Sequence, residues 1–439
     1  MVRWAVDGAG RDDASVGDAV VVARALVADA LARERHSPRG VRARRDRVAR
    51  LVRNPRAAEF SLALTDQVAR IAGDARAARR FAELVRTSDL RGLPPADRLL
   101  LAAAAPVAER SPGIVMGAVR RRLRGESRDV ILPAEDPAFA RHVACRRAQG
   151  VRVNVNVLGE AILGDAEARA RLGRVLALLG RPDVEYVSVK ISSIYPNVSS
   201  LAFARTVAGA GDRMRELYRA AAAHAPAKFV NLDMEEYRDL ELTTAVFRGV
   251  LGEPEFRGLE AGVVLQAYLP DSHAEARALA EWARERRAAG GAGIKVRLVK
   301  GANLAMERVD AEMHGWPLAT YPSKADVDAS YKALLELLLD PRYDGAVRVG
   351  LASHNLFDVA WGLVRRRELA RRGQSARLEF EMLEGMAPAQ AAAARDRAGG
   401  LLMYAPVAAR DDFAAAIAYL VRRLDENTEP ANFLARLFD

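Results

Sequence analysis

The hydrophobic rhythm of the chain changes near residue 150. Through residues 15–35, 57–86 and 96–109, Ala, Leu, Val and Arg recur at helical spacing, and 114–125 continues as another basic helix. Turn signals part them at Ser37-Pro38-Arg39-Gly40, Asn54-Pro55, Gly92-Leu93-Pro94-Pro95 and Ser111-Pro112-Gly113. Val130-Ile131-Leu132-Pro133 then leads into a short helix near 137–149. No strand pattern is read here, so residues 1–150 are expected to form an all-helical N-terminal region, an arm and an α-domain.

From residue 151 short β-rich runs alternate with amphipathic stretches. The runs are Val151–Val157, Tyr186–Ile191, Phe229–Met234, Gly262–Tyr268, Ile294–Val299, Arg348–Ala352, Leu378–Met382 and Leu401–Tyr404. Between them helical patterns cover 165–180, 201–223, 238–251, 272–289, 325–339, 357–372 and 388–398, and a last one covers about 411–426. Strands alternating with helices imply a parallel sheet with right-handed crossovers. Eight such units over 151–439 predict an α/β fold, a (β/α)8 TIM-like barrel. An open doubly wound sheet would want a glycine-rich phosphate turn after its first strand, and Val157 is followed by Leu158-Gly159-Glu160 instead. Gly290-Gly291-Ala292-Gly293 precedes a strand, the wrong context for a dinucleotide fingerprint.

Composition narrows the class. The chain has 439 residues, half of them hydrophobic, ample for a core. The run LLLAAAA at 99–105 falls far short of the ~20 residues that span a bilayer. The start, MVRWAVDGAGRDD, has no apolar core and does not read as a signal peptide. Cys145 is the single cysteine, which excludes an internal disulfide and a cysteine-cluster metal site. A cytoplasmic protein is expected. Net charge is +10, but residues 1–150 carry 29 basic and 18 acidic residues against 38 and 39 beyond them. The excess therefore lies outside the predicted barrel. Sixty-one of the 67 basic residues are arginine, which looks like coding bias, so nucleic acid is not the expected partner. The six lysines stand out against this background.

Barrel enzymes place their chemistry at the C-terminal ends of the strands. Those positions hold Glu160, Lys190, Asp233, Gln266, Arg297 with Lys300, His354 with Asn355, Glu381 with Glu384, and Tyr404. Singly each has a structural reading: Lys190 as the partner of Asp233 or Glu160, His354 as a helix cap. Together they predict one polar mouth. No metal site is expected: His273, His314 and His354 lack a partner four residues on, and Lys190 and Arg297 would oppose a cation near Asp233, Glu235 and Glu236. There is no G-x-S-x-G elbow. At ~100° per residue the last helix groups Tyr419, Arg422, Arg423 and Glu426 on one face, with Phe413, Ile417, Leu420 and Leu424 on another. Two adjacent guanidinium groups suit a carboxylate clamp. A flavin-free lyase or aldolase using Lys190 or Lys300 as a Schiff base is the alternative enzyme.

The segments NVLGEAILG (156–164), SVKISSIYP (188–196), NLDMEE (231–236), LQAY (265–268), RLVKGAN (297–303), ASHN (352–355), EMLEGM (381–386), YAPV (404–407) and YLVRRLDEN (419–427) occur in order, about one per strand. They resemble the proline dehydrogenase part of the proline utilization A family, clearly over about 110–434. The resemblance implies FAD in the barrel mouth, oxidation of L-proline to Δ1-pyrroline-5-carboxylate, and a membrane quinone as electron acceptor. It implies that Arg422 and Arg423 hold the substrate carboxylate, that Lys190, Asp233, Tyr404 and Tyr419 complete the pocket, and that Leu383 lies against the substrate ring. Glu160 would pair with a clamp residue. Arg297 would sit at the flavin N5 edge and Gln266 on the isoalloxazine. Lys300, Ala302, Lys324, His354, Asn355 and Glu426 would hold the rest of the cofactor. Many relatives carry an aromatic residue where this chain has Asn303. Proline utilization proteins continue into an aldehyde dehydrogenase domain, and this chain stops at Asp439. Two alternatives stay open: a separate enzyme that passes its product to a pyrroline-5-carboxylate (glutamate semialdehyde) dehydrogenase partner, or a piece of a longer one. The basic helices would allow peripheral contact with the inner membrane near the quinone.

Overall fold

The computed structural model describes residues 13–37, 55–68, 71, 73–127, 130–135, 137–158, 162 and 164–408. A two-residue strand, β1 (Leu132–Pro133), precedes eight parallel ones: β2 (Val151–Val157), β3 (Tyr186–Lys190), β4 (Phe229–Asp233), β5 (Ala261–Gln266), β6 (Ile294–Val299), β7 (Val347–Ala352), β8 (Leu378–Leu383) and β9 (Leu401–Ala408). Each of β2 to β9 pairs with its neighbour in chain order. β9 then pairs with β2, Tyr404 opposite Asn154, and the sheet closes. The expected (β/α)8 barrel is present, with helices over 165–180, 203–222, 240–251, 272–288, 324–338, 356–371 and 388–398. Glu160, Tyr419, Arg422, Arg423 and Glu426 lie outside the described residues.

Three details differ from the sequence reading. Leu132–Pro133 pairs with Val407–Ala408, so the region before residue 151 is not wholly helical; two residues are too few to show an alternation. The helix expected over 57–86 is two helices, Pro55–Ala63 and Asp74–Thr87, with a wider turn at Leu64–Val68 and a break at Gly73, whose φ of 93° disfavours a side chain. Between β6 and the helix Lys324–Leu338 lies an unexpected helix, Leu304–His314, in which only Glu307 is buried. It presents Met306, Val309 and Met313 to solvent and so has no core-facing stripe to read.

The strands are hydrophobic on the outside and polar within. Val153, Val155, Val187, Val189, Val230, Leu232, Val296, Leu298, Val349 and Leu351 belong to the main core with the surrounding helices. The alternate positions carry Asn154, Asn156, Ser188, Asn231, Asp233, Lys295, Arg297, Glu379 and Glu381. Their side chains meet across non-adjacent strands, as Arg297 of β6 meets Glu381 of β8, which only the barrel lumen allows. A small apolar plug of Tyr186, Phe229 and Leu402 fills the lumen nearer the strand starts.

Two cores lie outside the lumen. The helix Asp13–Arg35 packs on the helices Leu356–Arg371 and Pro388–Ala398, burying Ala19, Val22, Ala23, Leu26 and Ala30 in the main core. Arg33 adds an ion pair to Asp396 at 2.8 Å. The helix Ala138–Ala148 gives Phe139 and Val143 to the same core. Helices between residues 55 and 127 form a separate core around Phe81, Val85 and Met116. Part of the basic charge there is neutralised locally, Arg122 meeting Asp97 at 3.0 Å and Arg86 meeting Glu109 at 2.9 Å. No helix among the described residues is long and apolar enough to cross a membrane.

Leu26 is completely buried between this first helix and the barrel's outer layer. Leu26→Ala should destabilise the barrel by about 2–5 kcal/mol. Thermal unfolding of the full chain will show one lowered transition; an unchanged melting temperature would mean that the helix does not contribute to the barrel core.

Candidate active site

The polar lumen is organised around Asp233, at the end of β4 and 6% exposed. Its Oδ1 accepts from Asn231 Nδ2 at 2.9 Å and its Oδ2 from Tyr404 Oη at 2.7 Å. Tyr404 Oη in turn accepts from Asn156 Nδ2. Arg297 enters from β6, with its guanidinium 4.5 Å from the centre of the Tyr404 ring and 4.0 Å from Asp233 Oδ1. Burial pushes the Asp233 carboxyl above its ordinary range, against the opposing pull of Arg297 and the Tyr404 hydroxyl. Asp233, Arg297 and Tyr404 are thus brought together as the sequence predicts.

Below them Arg297 Nε donates to Glu381 Oε2 at 2.6 Å. Lys295 lies 2.5 Å from Glu381 Oε1 and donates to Glu379 Oε2 at 2.5 Å. Burial works against both cations, but the facing carboxylates outweigh it and raise the pKa of each. Glu381 is thus the ion-pair partner of both cations inside the lumen. Its sequence companion Glu384 points elsewhere: it is buried against Arg146 and His142 of the helix Ala138–Ala148. The expectation that both glutamates join one mouth is corrected here.

Glu235 links the loops that follow the strands. Its backbone carbonyl accepts from Gln266 Nε2 at 3.1 Å and Asn303 Nδ2 at 2.9 Å. Its carboxylate accepts from the backbone N–H of Ser192 and stands 3.5 Å from Lys190 Nζ. Lys190 therefore meets Glu235, not Asp233, as its ion-pair partner. Gln266 is 3% exposed, and its Oε1 has no hydrogen-bond partner among the described residues.

The remaining candidates sit on one side of the mouth. Lys300 meets Asp328 and, at 2.7 Å, Asp358. Burial presses on Lys300, yet the two carboxylates hold its pKa above the ordinary lysine value. Lys324 reaches Asp328 at 2.8 Å, and Lys332 reaches Asp358 at 3.0 Å. Ala302 is exposed in the loop between Lys300 and Asn303. His354 Nε2 accepts from the backbone N–H of Leu383 at 2.9 Å, so it ties two strand ends and does not cap a helix. The cap is Asn355, whose Oδ1 accepts from the Phe357 N–H. Sequence reasoning missed Asn156, Asn231, Lys295, Glu379, Asp328 and Asp358. The first four follow from one signal, polar residues at every second strand position.

A cavity of about 350 Å³ opens at the opposite end of the barrel, among Glu260, Arg287, Arg348 and Arg377. Its inner cations are already engaged, Arg348 with Glu260 and Arg377 with Asp344 and backbone carbonyls. Among the described residues no three His, Cys, Asp or Glu side chains are grouped to hold a metal ion. The candidate site is the cluster at the strand C-terminal ends.

Comparison with known proteins identifies the family and supports the fold. The family model for proline dehydrogenase matches residues 139–436. The chain belongs to the proline dehydrogenase family. It is 30% identical over 315 residues to the Bifunctional protein PutA of Escherichia coli, covering 66% of this chain and 22% of that one. Similarity to the Proline dehydrogenase of Deinococcus radiodurans is 28% over 196 residues, 42% of this chain and 52% of that one. The structure of proline utilization A from Bdellovibrio bacteriovorus, inactivated by N-propargylglycine, superposes with a TM-score of 0.79 at 26% identity, covering 96% of this chain and 42% of that one. The one from Corynebacterium freiburgense is 47% identical with a TM-score of 0.66, covering 72% and 32%. The chain spans about a fifth of the length of the E. coli relative and about half that of the Deinococcus one.

One acid of this proline dehydrogenase barrel gives a pH prediction. Asp239, in the turn after β4, is pushed up to about 6 by burial and by the neighbouring charges of Glu235 and Glu236. The unfolded chain ionises it near the ordinary ~4. Native stability is therefore lost as pH rises between those values, and the penalty stays constant above them. Asp239→Asn should gain about 1–2 kcal/mol at pH 7.5, after discounting for partial exposure, and nothing near pH 3.5. Denaturant unfolding at the two pH values checks this; an equal effect at both would refute it.

Proposed function

We propose that this chain oxidises L-proline to Δ1-pyrroline-5-carboxylate with FAD at the barrel mouth, and passes the electrons to a membrane quinone. The observation that carries the reading is the buried Asp233–Tyr404–Arg297 cluster at the strand ends of a proline dehydrogenase barrel. It offers charge and hydrogen bonds but no nucleophile paired with a base. The lumen fits a flavin in two respects. Gln266 Oε1 is a buried acceptor without a partner among the described residues, and the terminal nitrogens of Arg297 make no hydrogen bond to other described residues. A flavin edge carries donors and acceptors that answer both.

FAD supplies the acceptor for the hydride from proline C5. The chain's residues then have to position and to polarise. Arg422 and Arg423 clamp the carboxylate. Lys190, Asp233, Tyr404 and Tyr419 enclose the ring, with Leu383 against it and Glu160 paired to the clamp. A cation beside the amine lowers its pKa, and Lys190 and Arg297 supply that charge. Loss of the amine proton and then of the C5 hydride leaves the C=N bond of the product. Arg297 and Gln266 face the isoalloxazine, and Lys300, Ala302, Lys324, His354, Asn355 and Glu426 hold the remainder of FAD. For Lys300 and Lys324 this means sharing their charge between the cofactor and Asp328 or Asp358. The product is consumed by a pyrroline-5-carboxylate (glutamate semialdehyde) dehydrogenase, as a partner or in one longer chain. Quinone reduction calls for peripheral contact with the inner membrane from the cytoplasm.

The Schiff-base reading is disfavoured for Lys300. Asp328 and Asp358 keep its ammonium protonated, and imine formation needs a free amine.

Purified protein should absorb near about 450 nm and bleach on adding proline. Arg422→Met or Arg423→Met should raise KM for proline roughly 30-fold or more while flavin stays bound, from the loss of a charge-assisted contact. A colourless protein, or proline-dependent trapping of a lysine by borohydride, would overturn the reading; unchanged proline kinetics would remove the clamp.

A further inference from the structure

Arg297 makes one hydrogen bond among the described residues. Nε donates to Glu381 Oε2, the ring of Tyr404 lies beneath the guanidinium, and the terminal nitrogens make no hydrogen bond to other described residues, Nη1 standing 4.0 Å from Asp233 Oδ1. Glu381 is 1% exposed, and its second oxygen rests on Lys295, which is completely buried. Lys295 is in turn fixed by Glu379, and Glu379 by Arg152 at 3.0 Å. Room for the seat comes from Gly350 on β7: a Cβ there would stand 2.1 Å from Glu381 Oε1 and 2.8 Å from Lys295 Cε. A buried ion pair gives little net stability over an apolar filling of the same volume. Its yield here is direction, because the carboxylate grips the inner nitrogen of Arg297 and leaves the outer two unbonded to the seat, one of them 4.0 Å from Asp233 at the strand end.

We infer that Glu381, seated on Lys295, is the positioning residue that aims the terminal nitrogens of Arg297 at the reacting edge of the mouth. This rests on the reading that Arg297 borders a bound flavin. Neither Glu381 nor Lys295 touches substrate or cofactor in that reading; both act through Arg297.

The test uses the flavin-loaded full chain and sulfite, which adds to flavin N5 and reports the cation beside it. Glu381→Asp keeps the buried charge but withdraws the carboxylate by one methylene. It should weaken sulfite binding about tenfold, as loss of a nearby unscreened cation would. Arg297→Met should weaken it at least as much. The double variant should match Arg297→Met within roughly twofold, because Glu381 has no second route to the flavin. Should Glu381→Asp not fold, Lys295→Met with Glu381→Leu removes both buried charges together and should show the same loss. Unchanged sulfite affinity in Glu381→Asp, or losses that multiply in the double variant, would overturn the inference. Failure of the functional reading looks different: the unaltered protein would then lack flavin, or hold a flavin that proline does not reduce.

Discussion

A guanidinium inside a closed barrel must find its counter-charge among the other strands. Arg297 finds Glu381 two strands away, and that contact sets the terms for the lumen. Glu381 then needs a second cation for its free oxygen, which Lys295 provides, and Lys295 draws in Glu379. Gly350 has to remain a glycine for the seat to fit. Above the pair, Asp233, Tyr404 and Asn156 complete the hydrogen bonds. Toward the strand starts, Tyr186, Phe229 and Leu402 close the lumen with apolar bulk, and the Lys295 ammonium lies 5.1 Å from the Tyr186 ring centre. An apolar core of ordinary barrel type is thus confined to one end, and the polar end is where a ligand can be met.

The same economy governs the rim. All six lysines have acceptors: Lys228 donates to the carbonyl of Leu179, Lys190 faces Glu235, Lys295 faces two glutamates, and Lys300, Lys324 and Lys332 share Asp328 and Asp358. The lattice around Asp328 and Asp358 binds the loop after β6 to the helices Lys324–Leu338 and Leu356–Arg371. It makes that side of the mouth firm, whereas Glu235 ties the loops after β3, β4, β5 and β6 through hydrogen bonds alone or at longer range.

The strands were legible as short β-rich runs set between helical stretches. Val151–Val157 and Ile294–Val299 match to the residue. The helix Leu304–His314 was not legible, because it buries nothing but Glu307 and shows no stripe. At the site, Asp233, Arg297 and Tyr404 could be named from their place at strand ends. Lys295 and Glu379 sit one repeat lower, where the polar alternation of the strand marks them and the strand end does not. Glu384 misled for a related reason. It follows a strand end, but its side chain turns to Arg146, which is 238 positions earlier.

The sequence by itself determined the barrel, its closure after eight units, and the residue types at its mouth, because periodicity records which positions face helices and which do not. It also carried the proline dehydrogenase family. The tertiary structure decided the pairings: which carboxylate serves Arg297, which serve Lys300, and that Lys190 answers to Glu235. Pairing depends on distances across the lumen between strands far apart in the chain. A one-dimensional pattern holds the alternation of polar positions, but not the register and curvature that bring two of them within hydrogen-bond reach.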